Sequence, residues 1–223
     1  MWKLPVIIVN FKLYPTGAGK RGLNLAKILD EVSRDRDVSI AIAVNSLNFS
    51  QIKSVVDIPV LLQHVDAVDY GAHTGRINID LAKEMGADGI LINHSERRLT
   101  IADIDYLIQR ARELDIISLV CTNNARVSGA IAFLEPDMIA MEPPELIGGD
   151  ISVSTARPEA IVETIEAVKS VKSVPVLVGA GIKNGQDVKK AIELGAKGVL
   201  VASGIVKAKD PKKAINDLVD GMM

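Results

Sequence analysis

Three residues of this chain carry side chains suited to acid–base chemistry: Lys12, His94 and Glu142, each just beyond a short apolar run. Glu142 is followed by Pro143-Pro144-Glu145-Leu146-Ile147-Gly148-Gly149, with two prolines stiffening one end and two glycines loosening the other. A rigid lid on hinges has that composition, and so does a plain Pro/Gly turn. A carboxylate desolvated beneath a closing lid becomes more basic and can take a proton from carbon.

His94 opens His94-Ser95-Glu96-Arg97-Arg98 and is expected at a helix N-terminus. The positive helix end disfavours imidazolium, leaving a neutral ring that can polarise a carbonyl. A structural or surface histidine is the alternative. Glu96 is then either a first-turn carboxylate or the partner of a nearby lysine. Lys12 reads as a fixed cation for a phosphate or a developing oxyanion, or as a lysine extending from the end of a buried strand. Asn10 either donates its amide to the same oxyanion or caps the turn.

Gly179-Ala180-Gly181 and Ala202-Ser203-Gly204 follow the last two apolar runs. Small residues there let backbone N–H groups approach a phosphate, although glycines after strands are also ordinary loop residues. His64 and His73 have no metal-like spacing with carboxylates or with Cys121, so no metal site is expected, and no cofactor. Cys121 reads as a small buried residue rather than a nucleophile. The chain has no G-x-S-x-G elbow, no G-x-G-x-x-G after its first run and no Walker loop.

The elements that must position these groups show in the hydrophobic pattern. Apolar runs of strand length cover 5–9, 38–44, 59–62, 89–92, 116–121, 137–141, 174–178 and 198–201, each ending in polar or glycine-rich residues. Helical stripes lie between most of them. Leu23, Ala26, Ile28 and Leu29 share one face. Ile101, Ile104, Leu107, Ile108 and Ala111 share another, with Thr100 and Asp103 at its start, and Ile161, Ile165 and Val168 a third. Pro158 stands at the start of the third stripe, and Asp210-Pro211 repeats that start signal for a last helix. The connection between the second and third runs is short, which makes its helix the least marked.

The segment Glu84-Met85-Gly86-Ala87-Asp88-Gly89-Ile90-Leu91-Ile92 is mirrored by Glu193-Leu194-Gly195-Ala196-Lys197-Gly198-Val199-Leu200-Val201. This helix-to-strand joint is used twice, four units apart. Eight strand–helix units with that offset predict an α/β fold, a closed (β/α)8 barrel in one domain over 1–223, with an open doubly wound sheet as the alternative. Asn10, Lys12, His94, Glu142, Gly181 and Ser203 then all fall on the rim at the strand C-termini, where barrel active sites sit.

Composition agrees. Hydrophobic residues make up 48% of the 223 and aromatics 3%, so the core is aliphatic, as parallel strands buried on both faces require. The net charge of −2, with both signs interleaved, argues against nucleic-acid binding. A single cysteine fits a reducing compartment, and no stretch approaches the ~20 apolar residues of a membrane span. A cytoplasmic protein is expected.

Asn10-Phe11-Lys12, His94-Ser95-Glu96-Arg97-Arg98, Glu142-Pro143 and Ile147-Gly148-Gly149, in this order, resemble the signature segments of the triose-phosphate isomerase family, whose barrel is the TIM barrel. The length and the Glu142–Gly149 stretch look most like its compact archaeal form. The resemblance implies interconversion of dihydroxyacetone phosphate and glyceraldehyde 3-phosphate through an enediolate. It makes Glu142 the base, neutral His94 the electrophile, Lys12 and Asn10 the groups that stabilise negative charge, and Glu96 the residue that orients Lys12. It places the phosphate against the backbone of Gly148, Gly181, Ala202 and Ser203, with Ile147 closing over it. Two departures stand out: Pro144-Glu145-Leu146 occupies the place of a lid tryptophan, and Gly181 that of a serine. Gly71-Ala72-His73-Thr74-Gly75 resembles the family's interlocking loop, which implies a homo-oligomer, a dimer or, for the compact form, a tetramer. Rival readings are another phosphosugar-binding barrel enzyme and a catalytically silent sugar-phosphate sensor.

Overall fold

In the computed structural model, which describes residues 2–144 and 153–223, the apolar runs form eight parallel strands. They are β1 (Val6–Asn10), β2 (Ser39–Val44), β3 (Val60–Leu62), β4 (Gly89–Ile92), β5 (Ile117–Thr122), β6 (Met138–Met141), β7 (Val176–Val178) and β8 (Gly198–Val201). Each strand pairs with its neighbours in sequence, and β1 also pairs with β8, so that Val6 faces Ser39 on one side and Gly198 on the other. That last pairing closes the (β/α)8 barrel and excludes the open sheet. Six strands begin one or two residues later than the apolar pattern suggests, and for three of them the reason is the same. Pro5, Pro59 and Pro175 stand just before β1, β3 and β7, because a proline has no N–H for the ladder.

Parallel strands need crossovers, and helices supply them. They are α1 (Gly19–Arg36), α2 (Ser46–Lys53), α3 (Ile79–Glu84), α4 (Ile101–Glu113), α5 (Ala125–Ala132), α6 (Val153–Ala156), α7 (Pro158–Lys169), α8 (Gly185–Glu193), α9 (Ser203–Val206) and α10 (Pro211–Asp220). The helix between β2 and β3 is present as α2. Asn45, Asn78, Asn124, Asn184 and Asp210 each accept the N–H three residues on, which fixes where α2, α3, α5, α8 and α10 begin. Thr100 and Asp103 form a reciprocal capping box at α4.

Alternation along the strands builds two apolar layers. Val6, Ile8, Ala41, Ala43, Leu61 and Leu91 point into the barrel, while Ile7, Val9, Ile40 and Ile42 point out against the helices. The helix stripes need two corrections. On α1 the buried face is Leu25, Ala26, Leu29 and Val32, spaced as one side of a 3.6-residue helix, and Leu23 and Ile28 lie at its margin. Ile101 is 62% exposed, because a side chain in a first turn leans toward the helix N-terminus, past the strands it would cover.

The repeated joint is real in three dimensions. Gly86 and Gly195 both take positive φ, 89° and 103°. The following N–H groups reach back in the same way, Ala87 to the Ala82 carbonyl and Ala196 to the Ala191 carbonyl. At Gly198 a Cβ would lie 2.1 Å from the Val6 carbonyl oxygen, so glycine here lets β8 approach β1 and the ring close.

Candidate active site

Every ionisable candidate leaves the barrel at the same rim. Asn10 is the last residue of β1, and its Oδ1 accepts the Lys12 N–H at 3.0 Å. Lys12 itself is left-handed, φ 49°, which turns its side chain back across the barrel mouth. Its Nζ donates to Glu96 Oε1 at 2.9 Å. Of the two readings of Glu96, the lysine partner is therefore the one observed.

His94 lies in the turn after β4 and not at a helix N-terminus, since α4 begins only at Ile101. Asn93 shapes that turn. It takes φ 60°, donates from Nδ2 to the Cys121 carbonyl and accepts the Leu99 N–H at Oδ1. The ring orientation of His94 is fixed by the Glu96 N–H, which donates to Nδ1 at 3.2 Å. An Nδ1 that accepts carries no proton, so the neutral ring keeps its hydrogen on Nε2. That Nε2 stands 3.5 Å from Oε2 of Glu142, the residue immediately after β6.

Both groups are buried, His94 5% and Glu142 7% exposed. Burial raises the Glu142 carboxyl to about 7, opposed chiefly by the charge of Lys12 and by a hydrogen bond from the Cys121 thiol. Burial lowers His94 to about 4, with Lys12 adding to the effect. The neutral histidine expected from a helix dipole is thus obtained from desolvation instead. Cys121 is buried inside the barrel on β5, and burial, with the nearby Glu142 charge, pushes its thiol well above the usual value. That makes it a proton-holding neighbour rather than a nucleophile.

Among the described residues, His94 Nε2, Ser95 Oγ and Glu142 Oε2 are buried without a hydrogen-bond partner. Buried polar atoms are normally paired. Three such atoms, from the loops after β4 and β6 on either side of β5, form a polar surface that could meet the oxygens and hydroxyls of a small ligand.

The small-residue loops arrive beside them. Gly181, at φ 77°, and Ala202 and Ser203, at the start of α9, line a cavity of about 40 Å³ together with Asn10, Lys12 and Glu142. A wider cavity of about 620 Å³ shares Asn10 and Lys12 and extends past His94 to Gln63 and Leu13. Of the lid read from the sequence, residues 145–149, Ile147 and Gly148 among them, lie outside the described residues. Among the described residues no group of three or more His, Cys, Asp or Glu side chains is placed to hold a metal ion.

The sequence reading passed over three contributors. Gln63 stands one residue beyond β3 at the same rim and hydrogen-bonds to Asn10. Ser95 shows in the sequence only as a member of the segment 94–98, and Gly179 only as one of the small residues at 179–181. Gly179 lies against Glu142: a Cβ there would come within 3.2 Å of Glu142 Cγ and Oε1 and 2.8 Å of the Leu200 carbonyl. Gln63 carried a readable signal, a polar residue ending an apolar run on the rim that bears the other site residues, whereas the approach of Gly179 to Glu142 has none outside three dimensions.

A closed barrel that buries a carboxylate and an imidazole within reach of each other at its C-terminal rim is an enzyme fitted to move protons. Comparison with known proteins narrows that class: the triosephosphate isomerase family model matches residues 5–220, and the chain belongs to that family, an isomerase by class. It is similar to the triosephosphate isomerase of Archaeoglobus fulgidus, 54% identical over 200 residues that cover 89% of this chain and 90% of the relative. The Methanothermus fervidus protein of that name is 49% identical over 87% of this chain and 88% of its own length. The Metallosphaera sedula protein is 43% identical over 98% of this chain and 96% of its own.

Proposed function

We propose that this chain, as one barrel domain over 1–223, interconverts dihydroxyacetone phosphate and D-glyceraldehyde 3-phosphate, a step of glycolysis and gluconeogenesis, in the cytoplasm. The observation that carries the reading is the 3.5 Å approach of a carboxylate poised near neutrality to the Nε2 of a neutral histidine.

Glu142 takes a proton from C1 of the ketose, and the C–H pair becomes the C1–C2 double bond. Charge develops on the C2 oxygen, where His94 donates from Nε2 and Asn10 and Lys12 stabilise the enediolate. The C1 hydroxyl proton passes to the C2 oxygen, both oxygens being within reach of the imidazole, and Glu142 returns its proton to C2. The aldehyde forms at C1 with no net change in protons. Glu96 holds Lys12 in place. The backbone at Gly181, Ala202 and Ser203 receives the phosphate, with Gly148 completing the cradle and Ile147 covering it.

We also assign the chain to a homo-oligomer, a tetramer in preference to a dimer on its likeness to the compact archaeal form. The wide cavity beside Lys12 and Glu96, the 80% exposed Leu13 at its mouth and the exposed loop at 69–76 support a second copy docking there. Light scattering on the purified chain decides between one, two and four copies.

The test of the reaction is a coupled assay with glyceraldehyde 3-phosphate. Glu142→Asp draws the carboxylate back by one methylene, and a misplacement on the order of 1 Å costs about 10²-fold in turnover. Lys12→Ala removes the cation and is expected to lose at least as much. Both variants should keep the wild-type circular dichroism. Wild-type turnover in Glu142→Asp would remove Glu142 as the base.

A further inference from the structure

Gln63 stands one residue beyond β3, and its Nε2 lies 3.1 Å from Asn10 Oδ1, 3.2 Å from the Lys12 carbonyl and 3.1 Å from the Ala43 carbonyl. Three acceptors around one atom identify it as the amide nitrogen. The Ala43 carbonyl also accepts the Phe11 N–H, and the Gln63 N–H donates to the Val44 carbonyl. One side chain therefore ties together the exits of β1, β2 and β3.

Two consequences follow for the groups proposed to stabilise charge. Asn10 Oδ1 receives both the Lys12 N–H and the Gln63 amide. With that oxygen engaged, the Asn10 side chain keeps its Nδ2 donors as the face left for a ligand. Lys12 is held in a left-handed conformation at both of its backbone groups, the N–H by Asn10 and the C=O by Gln63. A non-glycine residue persists in that region when its surroundings over-determine it. The strands alone do not supply this, since Lys12 lies beyond the end of β1.

We propose that Gln63 is a positioning residue that sets the donor face of Asn10 and the reach of Lys12 toward Glu96, an inference that rests on the isomerase reading of this cavity. Gln63→Met keeps the length and removes the donors. Gln63→Glu sets a carboxylate against three acceptor oxygens.

The expected loss in kcat/KM is about tenfold for Gln63→Met and more for Gln63→Glu. A merely structural role would lower thermal stability and add independently to other losses. A positioning role couples to Asn10: the double variant Asn10→Ala/Gln63→Met should lose less than the product of the single losses. Losses that multiply, or a Gln63→Met variant with wild-type kcat/KM, overturn the proposal. The crystal structure of Gln63→Met decides independently of turnover, with Asn10 rotated and Lys12 out of its left-handed conformation as the expected result, and both unmoved as the refuting one. Should the wild-type chain fail to isomerise glyceraldehyde 3-phosphate, the functional reading falls, and this structure still decides the role of Gln63.

Discussion

The Nε2 of His94 lies 3.5 Å from Oε2 of Glu142, and burial acts on the two groups in opposite senses, raising the carboxyl to about 7 and lowering the imidazole to about 4. Lys12 opposes burial at the carboxylate and reinforces it at the ring. Near neutral pH the carboxylate is therefore available while the ring holds a single proton.

The proposed base must be ionised, so kcat/KM should fall tenfold per unit of acidification below about pH 7 and flatten above it. The His94 titration, at about 4, lies below this window. A coupled assay over about pH 5 to 9, corrected for the substrate phosphate's second ionisation near about 6, reads it. A flat profile from about pH 5 to 7 would remove the raised carboxyl from the mechanism.

The same burial carries a penalty in stability. Glu142 binds its proton more tightly in the folded chain, at about 7, than the 4.5 of an ordinary glutamate. Its favourable contribution is present below pH 4.5 and is lost as the pH rises through about 7. Glu142→Gln should be inactive yet more stable than the parent by on the order of 2–3 kcal/mol at about pH 8, with no difference near about pH 4. Urea unfolding at the two pH values measures this. A variant less stable than the parent at the higher value contradicts it.

Gly179→Ala puts a methyl group against the Leu200 carbonyl and the Glu142 side chain. Overpacking of this kind costs about 1–3 kcal/mol, and the carboxylate is the neighbour free to shift. The expected result is a loss of about tenfold or more in kcat/KM with a modest fall in the unfolding midpoint. Intact activity would mean that the base does not depend on this close approach.

Thr100→Ala removes the hydroxyl that accepts the Asp103 N–H at the start of α4. Stability should fall by about 1 kcal/mol, with kcat/KM within about twofold of wild type, because Thr100 belongs to no part of the proposed site. Thermal unfolding and the coupled assay together check it.

Much of this molecule could be read along the chain. Continuous apolar runs give strands, because parallel strands are buried on both faces, and Thr100-Asp103 and Asp210-Pro211 are local signals that owe nothing to distant contacts. The starts of β1, β3 and β7 depart from the apolar runs because the hydrogen-bonding limits of Pro5, Pro59 and Pro175 override hydrophobicity. The candidate site was legible in its types and order. Its electrostatics were not: the neutrality of His94 comes from burial among residues far away in sequence, not from a helix end nearby. Gln63 and Gly179 meet neighbours 53 and 37 positions away, at Asn10 and Glu142, and no local pattern encodes such contacts.

Lys12 and His94 lie on one half of the ring, Glu142 and the two small-residue loops on the other. The arc that holds the proposed set runs from β4 through β8 to β1, and so crosses the seam where the ring closes. During refolding, helix content can recover stave by stave, but turnover can return only when the seam between Val6 and Gly198 is sealed. Regained activity is thus a gauge of ring closure, and competence in this chain is a property of the whole circuit.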